Sequence, residues 1–136
     1  MSHPLAIEHE AVYPHSPERV WRALVDPVEL AAWLMPNDFE PVVGKEFKLE
    51  TGSAEVGTIQ AEVLEIDEPR LLRCRWTGGF GDTQVTFELT PEGDGTRLRV
   101  RHDGWSEPLP SEHAGFTTGW VEKLDQDIPR VLADTK

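Results

Sequence analysis

Five stretches in the middle of the chain have the two-residue periodicity of β-strands, and only short segments separate them. These stretches run from Glu46 to Thr51, Val56 to Ile66, Arg70 to Thr77, Thr83 to Thr90 and Thr96 to Asp103. The intervening segments, such as TGSAE, DEP, GGFG and PEGDG, are rich in residues that favour turns. Because short connections join neighbouring antiparallel strands, the pattern predicts an antiparallel meander whose apolar face needs a cover.

The segments on either side of the meander supply a further strand and the helices. Residues 5–13 alternate between two faces and predict a first strand, while Ser16 and Asp26, each followed by proline, predict the starts of two short helices. Apolar residues at helical spacing predict a C-terminal helix from about Ser111. Its expected apolar face consists of Phe116, Trp120, Leu124, Ile128 and Val131. The predicted fold is α+β, with a curved antiparallel sheet of about six strands wrapped around a long C-terminal helix and two short helices after the first strand.

Pro129 interrupts the expected C-terminal helix. Proline removes one backbone donor and clashes with the carbonyl four residues earlier, here that of Asp125. Because the apolar face continues beyond it, we predict a kink or break near Asp127, with the last turn still docked through Val131 and Leu132.

Composition narrows the class of protein. A length of 136 residues fits a single domain spanning 1–136, and 13 basic against 25 acidic side chains give a net charge of −12. An acidic protein of this kind repels phosphate groups, which argues against nucleic acid as a partner and against insertion into anionic membranes. The single cysteine, Cys74, permits no intrachain disulfide, and no signal peptide is recognised, so a cytoplasmic location is expected.

The sequence lacks the common motifs of catalytic and metal sites. It contains no GxSxG, HExxH, GxxxxGK[ST] or GxGxxG pattern. His3, His9 and His15 are spaced by six, which suits neither one helix face nor a compact metal site. No catalytic residue, metal or cofactor is therefore predicted. Whether the protein is an enzyme stays open, with a non-enzymatic role favoured.

Several segments together resemble a known family. They are SPERVWRALVDPVELAAW, EPVVGKEFKLET, IDEPRLLRCRW, GDGTRLRVRHDGW and the dipeptide Gly119–Trp120, and they extend from about Ile7 to Leu132. In this order they resemble the heat-shock-protein-90 ATPase activator-like family of the START-like (SRPBCC) helix-grip superfamily. The resemblance implies a single START-like domain in which the first strand pairs with the last and a cavity lies between the sheet and the C-terminal helix. It does not identify one function, because the superfamily includes proteins with many activities.

Arginine occupies alternate positions of the last strand, at Arg97, Arg99 and Arg101. With the strand pairing that the resemblance implies, these side chains lie on the outer face opposite Glu8 and Glu10. Opposite charges across strands contribute roughly 0.2–1 kcal/mol per pair. We therefore interpret the arginines as an ion-paired solvent face and not as an anion-binding site.

Aromatic side chains are expected around the ends of the cavity, where they either line it or fill it. The candidate pocket residues are Trp33, Met35, Trp76, Phe80, His102, Trp105, Phe116 and Trp120. Phe80 belongs to the glycine-rich GGFG segment and is expected over the mouth of the cavity. Cys74 shares the inner strand face with Trp76 and is expected to be an inert apolar filler, since its basic neighbours point to the opposite face.

His102 continues the inner face of the last strand after Leu98 and Val100, but it lies at the end of that strand. This position predicts a half-buried side chain at the pocket rim, with one ring nitrogen near water. In one interpretation, His102 stabilises the turn into the C-terminal segment through a hydrogen bond to nearby backbone. In the other, it orients the polar end of a ligand.

Three classes of function fit these patterns. The first is a non-enzymatic binding domain for a small hydrophobic or amphipathic ligand held between the sheet and the C-terminal helix. The second, implied by the family resemblance, is a module that interacts with a chaperone. The third is an enzyme of the cyclase or hydrolase type that uses His102 as an acid or base.

Overall fold

The structure is a computed structural model that describes residues 6–52, 57–78, 81–105 and 112–133. Its first eight elements are β1 (Ile7–Tyr13), α1 (Pro17–Val25), α2 (Pro27–Trp33), β2 (Glu46–Glu50), β3 (Thr58–Asp67), β4 (Leu71–Gly78), β5 (Gly81–Glu92) and β6 (Gly95–Asp103). The C-terminal helix consists of α3 (Glu112–Glu122), a π-helical segment (Lys123–Asp127) and α4 (Ile128–Ala133). This is the predicted α+β, helix-grip-like arrangement of a curved sheet and a long C-terminal helix.

The six strands form one antiparallel sheet in the order β1–β6–β5–β4–β3–β2. Strands β2 to β6 pair with their neighbours along the chain, as a meander does, and β1 joins the sheet beside β6. The register of that last pair places Ile7 opposite His102 and Tyr13 opposite Thr96. Gly95 permits this closure, because a Cβ there would lie 2.2 Å from the carbonyl oxygen of Tyr13. The pairing of first and last strands that the resemblance implied is therefore confirmed.

The outer face of β6 carries the expected ion pairs. Arg97 Nη1 donates to Glu10 at 2.9 Å, while Arg99 Nη2 and Arg101 Nη1 both donate to Glu8, at 2.6 and 2.7 Å. All five side chains are between 33% and 45% exposed, so solvent screens these pairs. The prediction of an ion-paired solvent face is confirmed.

Both N-terminal helices begin at the predicted caps. Ser16 Oγ accepts from the N–H of Arg19 at 3.2 Å, and Asp26 Oδ1 accepts from those of Val28 and Glu29 at 2.9 and 3.4 Å. The following prolines occupy the first helical turn, where a missing N–H removes no intrahelical bond. The buried side chains of these helices are Val20, Trp21, Ala23, Leu24, Leu30 and Trp33. The two helices therefore contribute one side of the core.

The C-terminal helix covers the inner face of the sheet with the predicted stripe of apolar residues. Trp120, Leu124 and Ile128 are at most 2% exposed. Phe116 and Val131, at the two ends of the stripe, are partly buried against the same core. The core thus lies between this helix, the two N-terminal helices and the concave face of the sheet.

The backbone of the C-terminal helix changes its hydrogen-bond register close to the predicted place. In the π-helical segment the N–H of Ile128 donates to the carbonyl of Lys123, five residues earlier, and Pro129 follows directly. Leu132, in the last turn, is 2% exposed and remains docked. The interruption near Asp127 is therefore a widened stretch of helix and not the end of a helix.

Candidate functional site

Aromatic rings from the sheet and the helices form one continuous cluster beneath α3. Its members are Trp33, Trp76, Phe87, His102, Trp105, His113, Phe116 and Trp120, with centroids of neighbouring rings 4.7 to 6.3 Å apart. The rings meet tilted or edge-on, which is the geometry that aromatic quadrupoles favour. The structure therefore brings together six of the eight candidate pocket residues. Of the other two, Met35 has no aromatic ring, and Phe80 lies outside the residues that the structure describes.

His102 lies in the middle of this aromatic cluster, is 0% exposed, and uses both ring nitrogens. An indole N–H can only donate, so the 3.1 Å contact from Trp120 Nε1 identifies His102 Nδ1 as an acceptor. The proton of the neutral ring is then on Nε2, which donates to Thr83 Oγ1 at 2.8 Å. The Thr83 hydroxyl donates in turn to the backbone carbonyl of Trp76 at 3.0 Å. The hydrogen bonds therefore run in one direction, from Trp120 in α3 to His102 in β6, on to Thr83 in β5, and finally to the backbone of β4.

The inner-face position predicted for His102 is confirmed, but the predicted location at a rim near water is wrong. Trp105 and Phe116 pack over the ring, with centroids 4.7 and 5.1 Å away. Both ring nitrogens bond to side chains, so the interpretation in which the ring bonds to nearby backbone is wrong. Burial, with a smaller contribution from His113, lowers the pKa of His102 to about 3. An enclosed, neutral imidazole does not favour an acid–base enzyme, because such a group must reach the substrate.

The turn after β6 brings Trp105 back over the imidazole. Gly104 has a φ of 92°, a left-handed conformation that favours glycine. A Cβ at this position would also lie 3.2 Å from both the carbonyl oxygen of Asp82 and the Cα of Thr83. Trp105 Nε1 then donates to the carbonyl oxygen of His102 at 3.1 Å. The HDGW sequence therefore closes this corner of the aromatic cluster.

An apolar gap adjoins the aromatic cluster on the side of α2. Its lining residues are Leu24, Leu30, Leu34, Phe39, Phe47, Leu49, Leu72, Cys74, Trp76 and Phe87. Including its open mouth, the gap encloses about 250 Å³, but only about 10 Å³ can take the centre of a water-sized sphere. Sites for drug-sized ligands enclose about 300–1,000 Å³. This gap is therefore nearly filled, and a ligand larger than water requires lining side chains to move.

The apolar gap includes few of the residues that sequence analysis selected. Among the candidates that the structure describes, Trp76 alone lines it, and Met35 is partly buried against the core. Phe80 lies outside the residues that the structure describes. Phe87, which joins the gap to the aromatic cluster, was missed although its inner position follows from the alternation of β5. Phe39 belongs to an irregular segment, where no periodic pattern identifies it.

Cys74 also lines the apolar gap and is 3% exposed. Burial raises the pKa of its thiol to about 12, because the thiolate would lose its hydration. The thiol is therefore protonated at neutral pH, and protonated thiols are poor nucleophiles. The predicted inward position of Cys74 as an apolar filler is confirmed, and its raised pKa agrees with an inert thiol.

A wider groove crosses the outer face of β2, β3 and β4 and encloses about 540 Å³ including its open side. Its lining residues are Glu46, Gln60, Ala61, Glu62, Arg75 and Thr77. Arg75 is ion-paired with Asp82 at 2.6 Å, and its guanidinium lowers the pKa of that carboxyl through a hydrogen bond. This polar surface does not suit an apolar ligand.

The part of the chain that the structure describes contains neither a metal-binding cluster nor a membrane-spanning helix. No three His, Cys, Asp or Glu side chains there are grouped so that they could hold a metal ion. Within the same residues, no helix has the length and apolar character needed to cross a bilayer.

Comparisons with known proteins agree on the fold. The family model for Activator of Hsp90 ATPase homolog 1-like protein matches residues 14–132. Protein MLL2253 from Mesorhizobium loti is 31% identical, with 96% of this chain and 98% of that chain covered and a TM-score of 0.87. No curated protein sequence matches the chain at a significant level.

Two further solved structures share the fold at lower identity. The Aha1 dimer from Colwellia psychrerythraea is 21% identical, with 92% of this chain and 98% of that chain covered and a TM-score of 0.79. The Hsp90 activator PFC0360w from Plasmodium falciparum is also 21% identical, with 94% and 96% covered and a TM-score of 0.78. The likeness extends over nearly the whole of each chain.

Proposed function

The chain belongs to the family of Activator of Hsp90 ATPase homolog 1-like proteins, and within this family we propose that it is a binding domain for a small hydrophobic or amphipathic ligand. The apolar part of the ligand occupies the apolar gap beside Trp76 and Phe87. The observation that supports this proposal is the lining of the gap, which is apolar throughout and continues into the aromatic cluster. Apolar concave surfaces of this kind are typical of small-molecule sites.

The size of the apolar gap restricts the ligand. Because the gap is nearly filled, an aromatic or aliphatic group enters only when lining side chains move, and we expect the partly buried Leu34 to be among those that move. None of the described residues that line the gap is charged, so the polar end of an amphipathic ligand stays at the mouth, in contact with water. Binding is then driven by the apolar surface that the ligand buries.

A panel of fatty acids of different length and of aromatic compounds tests this proposal. The measurements are thermal unfolding and displacement of the neutral fluorescent probe N-phenyl-1-naphthylamine. A ligand present at one hundred times its dissociation constant stabilises the folded state by about 2.7 kcal/mol. If no member of the panel raises the melting temperature and the probe does not bind, the proposal fails.

Two variants locate the binding site. Leu34→Trp places a large ring at the mouth of the apolar gap and should weaken probe binding at least tenfold. Val28→Trp adds the same ring on α2 at a side chain that is 78% exposed, and it should leave binding unchanged. Equal effects of both substitutions would contradict the assignment of the gap as the site.

A second candidate function is interaction with a chaperone of the Hsp90 type, which the family match supports. The net charge of −12 suits a basic patch on such a partner. Addition of the protein to purified Hsp90 should raise its ATPase rate, and salt should weaken the effect. Leu34→Trp should leave that rate unchanged, which separates this function from ligand binding. Both candidates fit the cytoplasm, where the lone buried thiol of Cys74 stays reduced.

A further inference from the structure

We propose that the C-terminal helix is hinged at its π-helical segment, so that α3 opens away from the aromatic cluster while α4 stays docked. Opening lifts Trp120 away from Trp76 and Phe87, which also line the apolar gap, and so gives a ligand a second way into that gap beside its mouth at Leu34. In that purpose the inference rests on the proposed function. The hinge itself follows from the hydrogen bonds of the π-helical segment and from the unequal attachment of the helices on its two sides.

The π-helical segment contains a carbonyl that the helix cannot satisfy. The N–H of Ile128 donates to the carbonyl of Lys123, five residues earlier. In the same register the next donor would be the N–H of Pro129, which proline lacks, so the carbonyl of Leu124 has no helical partner. The hydroxyl of Tyr13 donates to this carbonyl at 2.7 Å. A bond from β1 therefore replaces one that the helix gives up, and helices bend most readily at such places.

Strand β1 holds the hinge through two side chains. Burial, assisted by Asp125, raises the pKa of Tyr13, so its hydroxyl keeps the proton that it donates. His9 Nε2 lies 2.9 Å from the carboxylate of Asp125, one residue beyond the Leu124 carbonyl. The hinge segment is thus fixed to the edge strand of the sheet.

On one side of the hinge, α4 is firmly attached. Ile128 and Leu132 are 0% and 2% exposed. Arg19 Nη2 donates to the carbonyl of Val131 at 3.3 Å, and Arg19 Nη1 donates to Glu29 at 2.8 Å. Movement of α4 would disrupt the apolar core and this junction of α1, α2 and α4 together.

On the other side, α3 is attached through fewer fully buried side chains, although the rings of Phe116 and His113 also pack against Trp105. Trp120 is the one fully buried side chain among those described in α3, and it donates to His102. Gly115 and Gly119 lie inside this helix, and a Cβ added at either position would meet nothing within 4 Å. Close packing therefore does not explain these glycines. Each glycine lowers the equilibrium constant for helix formation by about fivefold relative to alanine. We therefore expect α3 to unfold, or to move away from the sheet, more readily than its neighbours.

Native-state hydrogen exchange tests the hinge without any ligand. The amides of α3 should exchange at least tenfold faster than those of α4 and of the central strands, under conditions where the protein stays folded. Equal protection of α3 and α4, or faster exchange in α4, would overturn the proposal.

Alanine substitutions test the cause. Replacing both glycines, Gly115→Ala and Gly119→Ala, should slow exchange in α3 by about fivefold for each substitution and leave α4 unchanged. Val28→Ala, an exposed change on α2, is the matched control and should not alter exchange in α3. Equal slowing of α3 and α4 by the glycine substitutions would mean that they open together, which contradicts a hinge between them.

Uptake of N-phenyl-1-naphthylamine connects the hinge to ligand entry. The double alanine variant should bind the probe more slowly than the unaltered protein, by the same factor as the slowing of exchange. If the probe fails to bind while α3 still exchanges first, the proposed function fails and the hinge stands. If the probe enters both proteins at the same rate, α3 is not the entry path and this inference is wrong.

Discussion

The two faces of β6 hold polar groups in opposite ways. On the outer face, arginines pair with carboxylates in solvent, and Glu8 accepts from both Arg99 and Arg101. On the inner face, His102 is neutral, enclosed by rings and bonded at each nitrogen to one specific partner. The outer partners are exchangeable because water solvates any that is lost. The inner partners are not, because no water replaces them.

This difference determines how each face responds to change. Exposed ion pairs contribute about 0–1 kcal/mol each, since solvent screens them and the side chains remain mobile. A buried donor or acceptor that loses its partner costs about 1–3 kcal/mol, because its hydration was already lost on folding. The lone histidine of the inner face therefore matters more for stability than any single arginine of the outer face.

Removal of the imidazole is the severest test of this contrast. His102→Phe keeps a ring of similar size but leaves the indole N–H of Trp120 without an acceptor inside the core. The free energy of unfolding should fall by about 3 kcal/mol, measured by urea denaturation. Trp120→Phe removes the matching donor, so the double variant should lose clearly less than the sum of the two single losses. Additive losses would show that the two rings are not coupled.

Acid should weaken the inner face first. Because the pKa of His102 is about 3 in the folded protein and about 6.5 when unfolded, only the unfolded chain gains its proton as the pH falls below 6.5. The free energy of unfolding should therefore drop by about 2 kcal/mol from this group between pH 7 and pH 5. Because the pKa of Asp82 on the outer face is lowered, this carboxylate affects the free energy of unfolding only at more acidic pH.

The comparison with His102→Phe isolates this pH effect. Urea denaturation at pH 7 and pH 5 should show a smaller loss in the variant, by about the same 2 kcal/mol. An equal loss in both proteins would assign the acid sensitivity to other groups.

The outer face should give the smallest effect. Arg99→Glu places a third carboxylate between Glu10 on β1 and Glu88 on β5, which lie opposite this position. We expect a loss of about 1 kcal/mol in unfolding free energy at low salt, and much of it should disappear in 1 M NaCl. Binding of the naphthylamine probe should not change. Lost probe binding at unchanged stability would reverse the assignment of this face.

Local patterns predicted the fold well for a physical reason. The caps at Ser16 and Asp26 act within one helical turn, and the alternation of β6 depends only on the geometry of a strand. Such features are independent of what lies elsewhere in the chain. The strands and helices therefore appear where the sequence predicts them, with bounds shifted by one or two residues.

The surroundings of the site could not be predicted in the same way. Position at a strand end led to the expectation that His102 meets water, but Trp105 and Phe116 enclose it from a turn and from a separate helix. The gap depends likewise on Phe39, which no periodicity places. The enclosure of His102 and the lining of the gap both depend on contacts between segments that are distant in sequence. The periodicity of a single segment does not predict such contacts.

The pairing of β1 with β6 has a consequence for the order in which the protein folds. Strands β2 to β6 each find their partner in the adjoining segment, whereas Glu10 and Arg97 are 87 residues apart and Tyr13 and Leu124 are 111 apart. Closing such long loops is entropically unfavourable until the rest of the structure compensates. We expect the meander to form first and β1 to be added late, together with the C-terminal helix. During synthesis β1 is therefore complete long before its partner strand exists, and its apolar side stays uncovered throughout that interval.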